Sequence, residues 1–247
     1  MANFTKWIGA TLGWTMGGGP IGAILGFIVG SVIDGVQFET IDTSRSSHRR
    51  KPQTQSGDFE VSLLVLAALV IKADGRADKR EQKFVRQQFI AMYGARRASN
   101  AFRLFNEIMR KDNISTRQVA LQVRQYMDHP SRLQLLHFLF NIAKSDGHVN
   151  DLEEKKIRQI ATYLGINPRD YASIKAMFYN SSDANYKILE ITKEATNDQL
   201  KKAYRKMAKK YHPDKVRHLG EEHQKGAEEK FKRIQKAYET IQQERGL

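Results

Sequence analysis

Residues 200–215, LKKAYRKMAKKYHPDK, decide how the C-terminal quarter of the chain folds. Six residues recur at helical spacing and predict one continuous buried stripe: Leu200, Ala203, Tyr204, Met207, Ala208 and Tyr211. The opposite face is cationic and holds no acid in ten positions. Its members are Lys201, Lys202, Arg205, Lys206, Lys209 and Lys210. Pro213 cannot continue a helix, so the stretch predicts an amphipathic helix that ends in a stiff turn.

The residues on either side of this stretch predict two further helices. Thr196 and Gln199 have the spacing of a capping box at the start of the cationic helix. Downstream, a third helix carries its own apolar stripe, made of Phe231, Ile234, Tyr238 and Ile241. A short apolar segment, residues 185–190, precedes both. We therefore expect residues 183–247 to form a domain of three helices, with the two longer ones packed antiparallel.

The turn between the two longer helices is the sharpest candidate site. His212 and Asp214 flank Pro213, which holds an imidazole and a carboxylate in fixed geometry beside the cationic face. Such a set suits docking on a polar, partly acidic surface that also offers an arginine. It is a poor catalytic pair, because no nucleophile lies nearby in sequence. We therefore predict a binding site and no enzymatic activity.

The residues around the turn resemble the J domain found in DnaJ. The resemblance rests on residues 203–206 (AYRK), 211–215 (YHPDK) and 235–239 (QKAYE). It implies docking on a DnaK-type chaperone and stimulation of that chaperone's ATP hydrolysis, with His212, Pro213 and Asp214 as the essential residues. The contacting face implied by the resemblance comprises Lys201, Tyr204, Arg205, Lys206 and Lys209. The stretch from His212 to Phe231 is longer than in DnaJ. No Gly/Phe-rich region or cysteine zinc module is present, so the resemblance leaves the client proteins unknown.

The N-terminal residues predict a membrane anchor over 1–36. Residues 7–33 are 27 consecutive residues without a charge. As a helix they would reach about 40 Å, which exceeds the ~30 Å hydrocarbon core of a bilayer. A secretory signal peptide and a buried hairpin are the competing interpretations, and the first fits poorly with so long a stretch. We expect one transmembrane helix.

Glycines recur every four residues in this anchor, in two overlapping registers. They are Gly9, Gly13 and Gly17 in one register and Gly18, Gly22, Gly26 and Gly30 in the other. Small residues let helix backbones approach closely in lipid, so the pattern predicts a homodimer through the anchor.

Charges on the two sides of the anchor predict its orientation. Lys6 is alone before the uncharged run, whereas Arg45, Arg49, Arg50 and Lys51 follow it. This bias predicts a short N-terminus outside and a cytoplasmic C-terminal body. Residues 37–57 are basic and polar and predict a linker.

Residues 58–180 predict an all-α domain. Apolar residues recur at helical spacing throughout, and no strand pattern competes. We expect about seven helices with breaks at Asp74-Gly75, Gly94, Asn113, Pro130, Asp146-Gly147 and 165–168.

Two of these breaks resemble each other and indicate a duplicated helix pair. Residues 72–81 and 144–153 share a Lys-x-Asp-Gly start and a glutamate at the tenth position. One interpretation is structural, with capping boxes formed by Asp78 and Glu81 and by Asn150 and Glu153. The other is a divalent cation held by oxygen ligands. The candidate ligands are Asp74, Asp78, Glu81, Asp146, Asn150 and Glu153.

This duplicated body resembles the TerB-type domain of tellurite-resistance proteins. Some members are associated with metal binding through acidic residues, so the resemblance keeps a divalent metal as a possible cofactor, although none is required for the predicted function.

Composition narrows the remaining functions. The chain of 247 residues has no cysteine, which excludes disulfide scaffolds and thiolate chemistry. Its net charge of +14 favours an acidic partner surface, nucleic acid or anionic lipid.

The order of the three parts resembles the DjlA family of membrane-anchored co-chaperones. That resemblance implies a single pass of the bacterial inner membrane and a DnaK-type partner. The alternatives are a metal-responsive membrane stress sensor or scaffold that acts through the TerB-like domain, and a membrane tether that binds nucleic acid.

Overall fold

The computed structural model describes residues 56–73, 75, 79–111, 114–145, 147, 149–179 and 181–247. The regular structure in these residues is helical, which confirms the all-α class. The helices are α1 (Ser56–Ile71), α2 (Lys79–Met109), α3 (Thr116–Tyr126), α4 (His129–Ala143), α5 (Asp151–Tyr163), α6 (Pro168–Ala176), α7 (Ala184–Ile188), α8 (Asn197–Lys210) and α9 (Glu221–Glu244), with a 3-10 helix at Pro213–Leu219.

Helix α1 is the centre of the first domain. Every side chain from Phe59 to Ile71 is buried, including Glu60 and Ser62. Helices α2, α3, α4 and α5 surround it. A helix that is apolar on all sides is stable in water only when other elements cover it, so the sequence of α1 requires this central position.

The predicted breaks in this domain occur where expected. Gly94 interrupts α2 with φ 77° and ψ 159°, a conformation that glycine adopts without steric cost. The two arms of α2, residues 79–93 and 95–109, pack through Phe89 and Phe102, whose ring centroids are 6.2 Å apart. Counting these arms separately gives seven helical segments among the described residues between 56 and 179, in line with the predicted number.

The C-terminal domain has the predicted three helices. Leu200, Met207 and Tyr211 of α8 are buried, as are Ile234 and Ile241 of α9. The capping box at Thr196 and Gln199 is present. The stretch between His212 and Phe231 is ordered as the 3-10 helix, a turn at Gly220 and the first turns of α9.

Helix α9 differs from its predicted pattern because it packs against two partners. Phe231 and Tyr238 are half-buried, whereas Lys230 is 2% exposed. Lys230 lies on the side of α9 that faces the first domain, where its ammonium donates to the side chain of Gln134. The apolar spacing along α9 predicts its burial against α8, but it does not predict the contact with the first domain.

The two domains are therefore packed together. On α9, the ring of His223 contacts Phe59 with centroids 4.4 Å apart, and Arg233 donates to the carbonyl of Met177. Near α7, the Ser173 hydroxyl donates to the Ile188 carbonyl at 2.8 Å. These contacts hold the C-terminal domain in place on the first.

No helix in the described ranges is long and apolar enough to cross a membrane. The predicted anchor, residues 1–36, its glycines and the linker up to residue 55 lie outside those ranges.

Candidate functional site

The turn after α8 is built by its own side chains. His212 precedes the 3-10 helix as its N-cap, and its Nδ1 accepts from the Asp214 amide at 3.3 Å. Pro213 follows as the first helical residue, where its fixed φ is compatible with the turn. The Lys215 amide closes the turn by donating to the His212 carbonyl at 2.9 Å. The backbone of the turn is therefore fixed before any partner arrives.

The imidazole and the carboxylate of this turn interact directly. His212 Nδ1 lies 3.5 Å from Asp214 Oδ2. Nδ1 accepts the amide hydrogen bond only when it carries no proton, and it can pair with the carboxylate only when it carries one. The turn thus offers two hydrogen-bonding states to a partner.

Both side chains are open to solvent. The His212 side chain is 50% exposed and that of Asp214 is 75% exposed. The His212 ring packs edge-on against Phe231, with centroids 5.9 Å apart. This contact orients the ring and still leaves half of it accessible. The turn at residues 212–214 is exposed, so a partner can reach it.

The cationic face of α8 is exposed beside the turn. Lys201, Arg205 and Lys209 point to solvent. Lys206 is also exposed, and its ammonium lies 2.7 Å from a carboxylate oxygen of Glu190. Tyr204 is half-buried and stacks on Tyr238 at 4.3 Å with an interplanar angle of 15°. The structure therefore brings the eight predicted docking residues together on the exposed turn and helix.

An acidic pair that sequence analysis missed holds the end of this face. Glu190 Oε1 lies 2.6 Å from the ammonium of Lys210, which also pairs with Asp170 of α6. Asp170 Oδ2 accepts from His129 Nε2 at 2.8 Å. Burial alone would raise the pKa of Asp170, but the hydrogen bonds from His129 and Lys210 lower it well below its usual range. Asp170 therefore stays ionised and joins the two domains.

No local sequence pattern predicts that Asp170 and Glu190 come together. Asp170 is the third residue of α6, where an acid is already favoured by the helix dipole. Glu190 has φ 57°, which is uncommon for a residue other than glycine and indicates that its position is imposed by its contacts.

Of the six candidate metal ligands, the structure describes three. Asp74, Asp78 and Asp146 lie outside the described residues. Asn150 and Glu153 form a capping box: Asn150 Oδ1 accepts from the Glu153 amide at 3.0 Å, and Glu153 accepts from the Asn150 amide at 3.1 Å. Glu81 is buried in the first turn of α2. In the described part of the chain, no three acidic or histidine side chains are close enough to hold a metal ion. The capping interpretation is therefore confirmed for the second copy.

Three family models match successive parts of the chain. Residues 60–176 match the model described as tellurite resistance protein TerB, and residues 184–246 match the DnaJ domain. Residues 1–50 match the co-chaperone DjlA transmembrane domain.

Several relatives that align with nearly the whole chain are described as co-chaperone protein DjlA. The co-chaperone protein DjlA of Coxiella burnetii is 28% identical and is aligned over 98% of this chain and 99% of its own. The DjlA of Haemophilus influenzae is 27% identical, with 98% of both chains covered. The chaperone protein DnaJ of Lactiplantibacillus plantarum is 54% identical over 56 residues, which are 23% of this chain and 13% of that protein. No solved structure matches.

The helical fold, the exposed histidine–proline–aspartate turn and the DnaJ match define a J-domain co-chaperone. A co-chaperone of this class regulates a partner protein. Together with the transmembrane and TerB matches, the full-length relatives show that the chain is similar over nearly its whole length to the membrane-anchored co-chaperones named DjlA.

Proposed function

We propose that this chain docks on a DnaK-type chaperone through the turn at residues 212–214 and the exposed face of α8, and thereby stimulates ATP hydrolysis by that chaperone. The observation that carries the proposal is the exposure of a turn whose backbone is already fixed by the His212 cap. Because that order is already present, binding loses little conformational entropy in this segment. Lys201, Arg205, Lys206 and Lys209 supply the cationic rim that steers an acidic partner surface, and Tyr204 lies among them on α8.

Single-turnover hydrolysis by a purified DnaK-type chaperone tests this function. We expect His212→Gln in the full chain to remove stimulation, because glutamine lacks the ring that packs on Phe231 and the second hydrogen-bonding state. Arg217→Gln is a matched control on the exposed surface of the same 3-10 helix, and it should leave stimulation within about twofold. Equal stimulation by the parent and His212→Gln, with unchanged helical content, would remove the proposal.

The predicted anchor would confine this activity to the membrane surface. We propose a single pass of the cell inner membrane with the N-terminus outside and both helical domains in the cytoplasm. The charge bias around residues 7–33 supports this topology. Cysteine accessibility tests it, since the chain has no cysteine of its own: Ala2→Cys should react with an impermeant reagent in intact cells, and Ser181→Cys should react only after lysis.

The anchor glycines support self-association. We propose a homodimer through Gly9, Gly13, Gly17, Gly18, Gly22, Gly26 and Gly30, which would present two J domains side by side. Cross-linking in the membrane should lose the dimer when Gly18, Gly22 and Gly26 are replaced by leucine, and a dimer that survives would contradict it.

A divalent cation in the TerB-like domain stays a prediction. Calorimetry of the full chain with calcium, magnesium and manganese, repeated for Asp74→Ala with Asp146→Ala, tests it. Binding heat that disappears in the double variant would support the site, and equal heats would exclude these ligands.

A further inference from the structure

Helix α2 is the most cationic element of the first domain. Helix α2 and the two residues that follow it, residues 79–111, carry nine lysines and arginines and two glutamates. Their net charge of +7 is half of the chain's net charge of +14. One of the two glutamates, Glu81, is buried and presents no charge to the surface. The J domain does not use these cations, so they require a separate account.

The exposed cations of α2 form a stripe on each arm. Lys79, Lys83 and Arg86 are exposed on the first arm at i, i+4 and i+7, which places them on one side of a helix. Ile90 continues this side toward the kink and is 40% exposed.

The second arm repeats the arrangement. Arg96, Arg103 and Arg110 are exposed and lie seven residues apart, again on one side. Glu107 is the acid on this side, and it pairs with Arg110 at 3.2 Å, so Arg96 and Arg103 keep their charge for an outside partner.

The two stripes are neighbours. The Arg86 guanidinium of the first arm lies 5.8 Å from the ring centroid of Phe102, the residue before Arg103 on the second arm. We call the combined surface, Lys79, Lys83, Arg86, Ile90, Arg96 and Arg103, the α2 cationic face. A broad surface of one sign attracts an extended anionic partner more than a single acidic side chain.

This face lies at the end of the domain where the chain enters from the membrane. Arg97, the neighbour of Arg96, pairs with Glu60 at 2.7 Å, and Glu60 is only four residues after α1 begins at Ser56. Residues 34–55 join the uncharged run to Ser56. Covalent geometry limits their reach to about 75 Å when fully extended, so the domain cannot leave the neighbourhood of the bilayer. Such tethering gives weak surface contacts a high effective concentration.

We propose that the α2 cationic face contacts anionic lipid headgroups of the membrane that anchors the chain. The inference rests on the anchor and is independent of chaperone stimulation. Anionic headgroups provide the extended negative surface that two cationic stripes match, and each lysine or arginine near such a surface favours contact by roughly fivefold. Ile90 lies where a single apolar side chain could enter the headgroup layer. The contact would hold the TerB-like domain on the membrane.

Site-specific quenching in nanodiscs tests this orientation with the full chain. A fluorophore on Asn100→Cys, between Arg96 and Arg103, reports contact with nitroxide-labelled headgroups, and one on Ser181→Cys serves as the distant reference. We expect quenching at position 100 in nanodiscs with phosphatidylglycerol, little in pure phosphatidylcholine, and loss of quenching at about 0.5 M salt because ions screen the attraction.

Charge neutralisation provides the matched comparison. Lys83→Gln, Arg86→Gln, Arg96→Gln and Arg103→Gln together should lower the contact equilibrium on the order of a hundredfold or more. Four exposed lysines elsewhere, Lys155, Lys225, Lys232 and Lys236, changed to glutamine should leave it within about threefold. Quenching that is equal in both lipids, or equal in the two quadruple variants, would overturn the proposal.

Two further measurements separate this proposal from its rivals. Duplex DNA that binds the α2 cationic face while phosphatidylglycerol produces no quenching would assign the face to nucleic acid and overturn a lipid role. The α2 quadruple variant should still stimulate the chaperone ATPase in detergent, so loss of lipid contact with stimulation intact distinguishes failure of this inference from failure of the proposed function.

Discussion

His223 is a histidine that the fold keeps neutral. Burial is the main cause and the nearby charge of Lys230 the second, and together they lower the pKa of His223 to about 4. Its Nε2 lies 2.7 Å from the Tyr93 hydroxyl, on the other domain. The pKa of Lys230 is lowered to about 7 by burial alone. The interface between the domains thus contains two bases that resist protonation.

His223 contributes one part of the pH dependence of stability, and Glu60, whose pKa burial raises to about 7, contributes the opposite slope. In the unfolded chain the pKa of His223 returns to about 6.5, so between pH 6.5 and 4 the unfolded state binds a proton that the folded state does not. The contribution of His223 to the free energy of unfolding should therefore fall as the pH drops through this window, by up to roughly 3 kcal/mol. Buried His137, whose pKa is also lowered by burial, adds to the same slope.

Denaturant titrations between pH 7 and 4 test this contribution. His223→Gln should flatten the pH dependence relative to the parent. Lys225→Gln, an exposed neighbour on α9, should leave the slope unchanged. An equally steep slope in His223→Gln would show that the imidazole is not the proton acceptor.

At the scale of the element, the kink in α2 depends on one residue. Gly94 has φ 77° and ψ 159°, a backbone conformation that residues other than glycine rarely adopt. An added Cβ would meet no atom within 4 Å, so the cost of a substitution is conformational and not steric against neighbours. The kink also sets how the two cationic stripes lie beside each other.

Gly94→Ala should lower the free energy of unfolding by about 1–3 kcal/mol. Ser99→Ala, an exposed helical position on the second arm, should change it by less than about 0.5 kcal/mol. Urea denaturation of both variants checks this, and a change at Gly94 no larger than at Ser99 would mean that α2 can straighten without cost.

At the scale of the molecule, charged side chains help to join the two described domains at their junction. Asp170 pairs with His129 of its own domain and with Lys210 of α8, while Glu190 pairs with Lys206 and Lys210. Tyr211, which precedes the turn, is packed between Lys210 and Lys230, whose ammonium groups lie 5.4 and 5.8 Å from its ring centroid. The orientation of the docking turn is therefore tied to the TerB-like domain.

Asp170→Asn tests this coupling. It keeps the shape but removes the charge opposite Lys210, so we expect a loss of about 1–3 kcal/mol in stability. Hydrogen exchange should accelerate in α8 and α6 more than in α1. Asp183→Asn breaks the exposed ion pair with Lys187, which solvent screens, so stability should change little and α8 should stay protected. Equal effects of the two variants would mean that the domains are not joined through Asp170.

The sequence by itself determined the helices, their caps and the docking turn, because these depend on interactions within a few residues. The stripe of α8, the capping box at Thr196 and the break at Gly94 were all predictable from periodicity and turn chemistry. The J-domain resemblance implied the eight proposed docking residues, which lie on one helix and its adjoining turn.

Only the tertiary structure decided how the domains meet and which charged side chains are paired or buried within the protein. Asp170 and Glu190 come from separate segments of the chain, and buried Lys230 occupies a position that periodicity along α9 does not distinguish from the solvent side. The neighbouring stripes of α2 likewise required the kink to fold one arm against the other. Contacts between residues far apart in sequence leave no period in the chain, because what selects them is the shared surface on which they meet.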